Sequence, residues 1–250
     1  YSDHMIVGLR YSYIFNNQNM MALQHFNYLR VDLESSGNLL HAINSVAGTP
    51  KTDSGYYQVL GVRYSQFVRM SIDFRHYYYF SRKTNSLVTR LLFGAGIPYL
   101  NSDELPYEKG FYAGGANDMR GWLFKELGPG EYSGDSPYEK VGDIQIEGNI
   151  EYRFPIYSFF KGALFIDIGN IWTYKKSETF PGGQFHFDKF ISQMAIDAGV
   201  GFRFDFKVLI FRIDVAAPMR NPAYPASNRW RIAYLQPIDF VWNFGIGYPF

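Results

Sequence analysis

Ile144-Gln145-Ile146-Glu147-Gly148-Asn149-Ile150-Glu151-Tyr152-Arg153-Phe154 alternates with a period of two. Ile144, Ile146, Ile150, Tyr152 and Phe154 fall on one side of an extended chain; Gln145, Glu147, Asn149, Glu151 and Arg153 fall on the other. Successive side chains of a strand point to opposite faces, so the stretch reads as a β-strand with one apolar and one polar face. The polar face carries mixed acids and an Arg but no Lys. A soluble sandwich would turn Lys toward bulk water; a crowded, hydrated lumen favours charge pairs, with Arg as the preferred cation.

The same pattern recurs in both directions. Upstream, Val7, Leu9, Tyr11 and Tyr13 alternate with Gly8, Arg10 and Ser12, and Leu29, Val31 and Leu33 with Arg30, Asp32 and Glu34. Met70, Ile72 and Phe74 alternate with Arg69, Ser71, Asp73 and Arg75; Leu91, Phe93, Ala95 and Ile97 alternate with Arg90, Leu92, Gly94 and Gly96. Downstream, Leu164, Ile166 and Ile168 oppose Phe165, Asp167 and Gly169. Met194, Ile196, Ala198, Val200 and Phe202 oppose Gln193, Asp197, Gly199 and Arg203, and Leu209, Phe211, Ile213 and Val215 oppose Arg212 and Asp214. Finally Phe240, Trp242, Phe244, Ile246, Tyr248 and Phe250 oppose Asp239, Asn243, Gly245 and Gly247. That makes about nine strands, most near the 9–11 residues that cross a bilayer at a tilt.

Composition agrees. The 250 residues include 21 Tyr, 23 Phe and 24 Gly but no Cys, and no apolar run reaches the roughly 20 residues of a membrane helix. A net charge of +1 gives no nucleic-acid-binding surface. Connections alternate short and long without a break: 16–23 short, 35–63 long, 81–85 short, 101–142 long, 155–160 short, 174–191 long, 205–206 very short, 218–237 long. Transmembrane barrels alternate periplasmic turns and extracellular loops in this way. The expected fold is therefore all-β, a transmembrane antiparallel β-barrel. Counting back from a last strand that runs inward puts Tyr1 on the outer side, which predicts that residues 1–250 are the C-terminal portion of a single barrel domain whose earlier strands precede Tyr1.

The long connection 101–142 contains Phe111-Tyr112-Ala113-Gly114-Gly115-Ala116-Asn117-Asp118-Met119-Arg120-Gly121-Trp122. A Gly-Gly pair, a single Arg with its own Gly, and flanking aromatics argue for an ordered, functional loop rather than a passive connection. No enzyme motif, metal-ligand spacing or cofactor fingerprint appears, and the five His, at 4, 25, 41, 76 and 186, are scattered. The expectation is a non-enzyme with no catalytic residues, no metal and no cofactor.

Taken together these residues resemble the C-terminal barrel of the BamA/TamA outer-membrane assembly factors, the bacterial surface antigen family. Gly114-Gly115 through Arg120-Gly121-Trp122 resembles that family's Gly-Gly…Arg-Gly-aromatic loop motif, with five strands following it. Phe165-Ile166-Asp167-Ile168-Gly169 resembles the family's Phe-x-Asp-x-Gly strand motif, and the chain ends on an aromatic-rich strand closing at Phe250. Glu151-Tyr152-Arg153-Phe154-Pro155 resembles the acidic strand end between them. Asp118 departs from the small hydroxyl residue of many relatives, and residues 123–130 resemble Bacteroidota members, including the TamL branch.

The resemblance implies that this chain holds the last nine of sixteen strands, that loop 101–142 folds into the lumen, and that Arg120 meets acidic lumen residues. Alternation independently puts Glu151 and Asp167 on the polar face; an ordinary lumen charge pair would satisfy the same pattern. The implied function is insertion of outer-membrane proteins through a lateral seam formed by 238–250, with Gly245, Gly247 and Pro249 weakening that strand. The implied partners are unfolded outer-membrane protein substrates, the lipid bilayer, periplasmic repeats and accessory subunits. A two-partner-secretion pore, or the membrane anchor of a larger protein, would use the same barrel.

Overall fold

The computed structural model describes residues 3–19, 21–80, 85–134, 139–206 and 208–250. Tyr1 and most of the 81–85 turn, both named in the sequence reading, lie outside the described residues. Nine strands form one antiparallel sheet in sequence order: β1 (Gly8–Asn16), β2 (Phe26–Ser36), β3 (Phe67–Tyr79), β4 (Ser86–Pro98), β5 (Ile144–Tyr157), β6 (Phe160–Trp172), β7 (Ala195–Asp205), β8 (Ile210–Arg220) and β9 (Val241–Ile246). Each strand pairs with its chain neighbour, so the long connections gather at one end of the sheet. Among the described residues the sheet is open, with β1 and β9 as its edges.

The two faces differ as the period-two pattern requires. Leu91, Ile150, Leu164, Ile166, Phe211, Trp242 and Phe244 stand exposed on the apolar face. The concave face buries charge instead: Asp32, Glu147, Glu151, Asp167, Asp197, Arg203, Arg212 and Asp214 are all covered. An apolar outside and a paired ionic inside is the arrangement of a strand wall that meets lipid, since an unpaired buried charge costs several kcal/mol.

The long connections are not featureless. Residues Asn38–Val46 form a helix, and Val62–Tyr64 pairs with Gln58–Val59 and, in parallel, with His4–Met5. Alternation gave no sign of either element. The helix has no side-chain cap and no acidic residue in its first turn, so the usual start signals are missing.

The end of the chain departs from expectation. Residues Pro237–Asp239 form a 3-10 turn rather than the start of a strand, and β9 covers only Val241–Ile246. Gly247 sits at φ +83, a left-handed conformation that favours glycine, and turns the chain out of the sheet. Phe250, placed on the apolar face by its phase, is instead buried on the concave side.

Candidate functional site: the loop turn on the polar wall

The connection between β4 and β5 packs a small core of its own. Phe111, Ala113, Met119, Trp122 and Leu127 bury one another against Ile171 of β6 and Ala195 of β7. Backbone bridges Phe111–Gly142 and Ala113–Leu127 close its stem, and Gly115 N donates to Trp122 O at 2.9 Å. Gly114 (φ +109) and Gly115 (φ +107) make the tight turn possible, and a Cβ on Gly114 would lie 2.1 Å from Leu123 O. Asp118 Oδ1 accepts from Gly114 N (3.1 Å) and Met119 N (2.5 Å), a turn-stabilising use of a short acidic side chain.

That turn carries Arg120 onto the polar face of the wall. Arg120 Nε and Nη2 donate to the two oxygens of Asp167 at 2.8 and 2.9 Å, and Nη1 donates to Glu151 Oε2 at 2.6 Å. Asp214 Oδ2 stands 3.8 Å from Nη1. The guanidinium carbon lies 3.4 Å from the centre of the Phe165 ring. The side chains of Arg120, Glu151 and Asp167 are 0 % exposed. Burial opposes the charge on Arg120, but the Asp167 carboxylate, with Glu151 and Asp214, more than offsets this and holds the guanidinium protonated beyond its usual range.

Strand register explains why these groups converge. Asp167 lies directly across from Asn149 of β5, with Glu151 two residues further along that strand. On the other side Asp167 pairs with Asp197 of β7. Asn149 Nδ2 bridges Asp167 Oδ1 (2.9 Å) and Asp118 O (3.0 Å), tying wall to turn. Gly121 N donates to Asp197 Oδ2 at 2.9 Å. A Cβ on Gly121 would meet Asp197 Cβ at 2.5 Å, so only glycine permits the approach. Gly169 is similarly close to its neighbour: a Cβ there would lie 2.7 Å from Glu147 Cγ.

Further contacts were not singled out by sequence. Asn243 of β9 donates to Arg120 O at 2.9 Å, and Arg212 Nη2 donates to Asn117 Oδ1 at 2.9 Å. Arg203 bridges Asp214 (2.5 Å) and Glu151 (3.3 Å). All had the polar phase of their strands, which is the one signal that could have nominated them.

The remaining named residues fall elsewhere. Gly245 makes room for Arg212, whose Nη2 would sit 2.6 Å from a Cβ there. Trp242 and Phe244 are exposed on the apolar face, and Phe240 lies just before β9.

Residues 9–250 match the Omp85 superfamily domain. The chain belongs to the Omp85 superfamily. Its fold is similar to the crystal structure of BamA from Haemophilus ducreyi lacking POTRA domains 1-3, with a TM-score of 0.56 at 12% identity. The similarity covers 95% of this chain and 40% of that one, so the Omp85 chain described here spans less than half of that structure. The buried Arg120 cluster thus sits on the polar face of the nine-stranded sheet of an Omp85 superfamily chain.

Proposed function

We propose that this chain is the C-terminal barrel portion of a bacterial outer-membrane protein that inserts or assembles other outer-membrane proteins. Membership of the Omp85 superfamily supports the class. The observation that carries the finer reading is the fully buried Arg120 held by Glu151 and Asp167. In this reading the loop turn is a latch: it fixes the inner wall, and the seam lies along β9. That edge supports a seam because β9 pairs over six positions with β8, whereas β5 pairs over ten with β4. An incoming substrate strand would add to the exposed edge by main-chain hydrogen bonds. Within the family, residues 123–130 favour a Bacteroidota TamL-like member.

The test is depletion of the full-length protein with complementation by variants. A cysteine in β9 paired with one in the first barrel strand should abolish insertion of newly made outer-membrane proteins, and reduction should restore it. Full insertion activity in the cross-linked form would overturn the lateral-seam reading. Loss of secretion of a single partner, with outer-membrane protein levels unchanged, would assign the barrel to a secretion pore.

A further inference from the structure

The segment after β9 connects to the Arg120 cluster by two separate routes. Gly247 turns the chain inward, and Pro249 and Phe250 are buried. The Phe250 ring lies 5.6 Å from the Arg120 guanidinium. Arg153 of β5 reaches the same place from four strands away: it lies 4.1 Å from the Tyr248 ring, and its Nη2 donates to Phe250 O at 3.3 Å. Its Nε donates to Glu151 Oε1 at 2.7 Å, while the other oxygen of that carboxylate takes Arg120. The second route runs through the strand itself, from Asn243 Nδ2 to Arg120 O.

β5 and β9 are not neighbours in the sheet, since β6, β7 and β8 lie between them. The contact from Arg153 to Phe250 therefore crosses the interior, and it exists only while residues 247–250 are turned inward. One carboxylate, Glu151, is shared by Arg120 and Arg153, with Arg203 as a third cation on it. When the loop carries Arg120 away, the Phe250 ring loses the cation it covers and Asn243 loses its acceptor.

We propose that Arg153 is a positioning residue that couples the inward-turned tail 247–250 to the seated loop, so that loop release and tail release are one event. This rests on the latch reading above. Coupling between two sites is reciprocal: releasing the tail weakens loop seating by the same factor as releasing the loop weakens tail burial. The bistable element is the tail, whose hinge is Gly247.

The experiment uses the full-length protein in outer membranes, with Pro249→Cys as a reporter of tail burial and added protease as a reporter of the loop. Heat-modifiability reports that the barrel is folded. In Arg120→Ala, faster loop cleavage accompanied by an increase of about fivefold or more in thiol modification at position 249 supports the coupling, as that is the lower end for coupled sites. Faster loop cleavage with unchanged modification overturns the coupling and leaves the latch standing. A loop that stays protected overturns the latch, and the coupling with it. If Arg120→Ala does not fold, Arg153→Met decides. Charge alone would then tighten Arg120 on Glu151, freed of one competitor, and slow cleavage. Coupling predicts faster loop cleavage instead, and unchanged or slower cleavage overturns it.

Discussion

The Arg120 guanidinium carbon lies 3.4 Å from the centre of the ring of Phe165, a strand residue whose phase puts it on the polar face. An aromatic in that place makes a cation–π contact while leaving the edges of the guanidinium free for Asp167 and Glu151. A desolvated contact of this kind contributes about 2 kcal/mol. Phe165→Leu should keep both ion pairs and still raise the rate of loop proteolysis by up to about thirtyfold. An unchanged rate would show that the ring only fills space.

Arg120→Ala leaves Asp167 buried without its cation, while Glu151 loses one of three, keeping Arg153 and Arg203. Asp167 is fully covered, so the loss falls in the range of about 3–5 kcal/mol expected for a broken buried pair, above that of a hydrated one. The loop should become protease-sensitive while the barrel keeps its heat-modifiable mobility. Arg120→Lys should restore little, because an ammonium cannot span two carboxylates on adjacent strands.

Gly121→Ala places a methyl 2.5 Å from Asp197 Cβ and 3.2 Å from its Oδ2, while leaving Arg120 and its two carboxylates in the sequence. The expected phenotype is the same loop exposure as Arg120→Ala, measured by the same proteolysis. Gly115→Ala is the control for crowding, since its Cβ would be in ordinary contact, 3.7 Å from Phe124; any effect there comes from backbone strain at φ +107.

Gly247→Ala meets no atom within 4 Å, so its effect is purely conformational. Holding a non-glycine residue at φ +83 costs roughly 1–2 kcal/mol. The inward turn of 248–250 should be populated about tenfold less, read as faster thiol modification at position 249 in the Pro249→Cys background.

Salt should separate the two ends of the loop. The Lys125–Glu139 pair is 2.5 Å long, but Glu139 is largely exposed, whereas the Arg120 pairs are enclosed. Raising ionic strength to about 1 M shortens the screening length to about 3 Å and should loosen the outer lobe alone. Spin labels near 125 should gain mobility, with labels near 120 unmoved.

Much of the wall was legible because a strand between lipid and a polar interior must alternate, and a slip of one residue would invert every side chain. That logic placed Glu151 and Asp167 on one face from sequence alone. It could not say which other polar residues reach the loop: Asp197, Asp214 and Asn243 share the phase, but only register sets them around Arg120. It also ran past the end of β9. Tyr248 and Phe250 keep the period, and nothing in an alternating pattern marks a glycine that has turned left-handed. The helix Asn38–Val46 was invisible for want of caps.

The turn 117–121 touches a different strand with nearly every residue: β4 and β8 through Asn117, β5 through Asp118, β6 through Arg120, β7 through Gly121, and β9 through the Arg120 carbonyl. Strands so bridged cannot open one at a time, because each opening also strands a buried charge or amide. With the turn seated, β4 to β9 should therefore exchange as one cooperative unit, and release of the turn should lower their protection together. β1, β2 and β3, which hydrogen bonds from the turn do not reach, lie outside that unit and should exchange sooner.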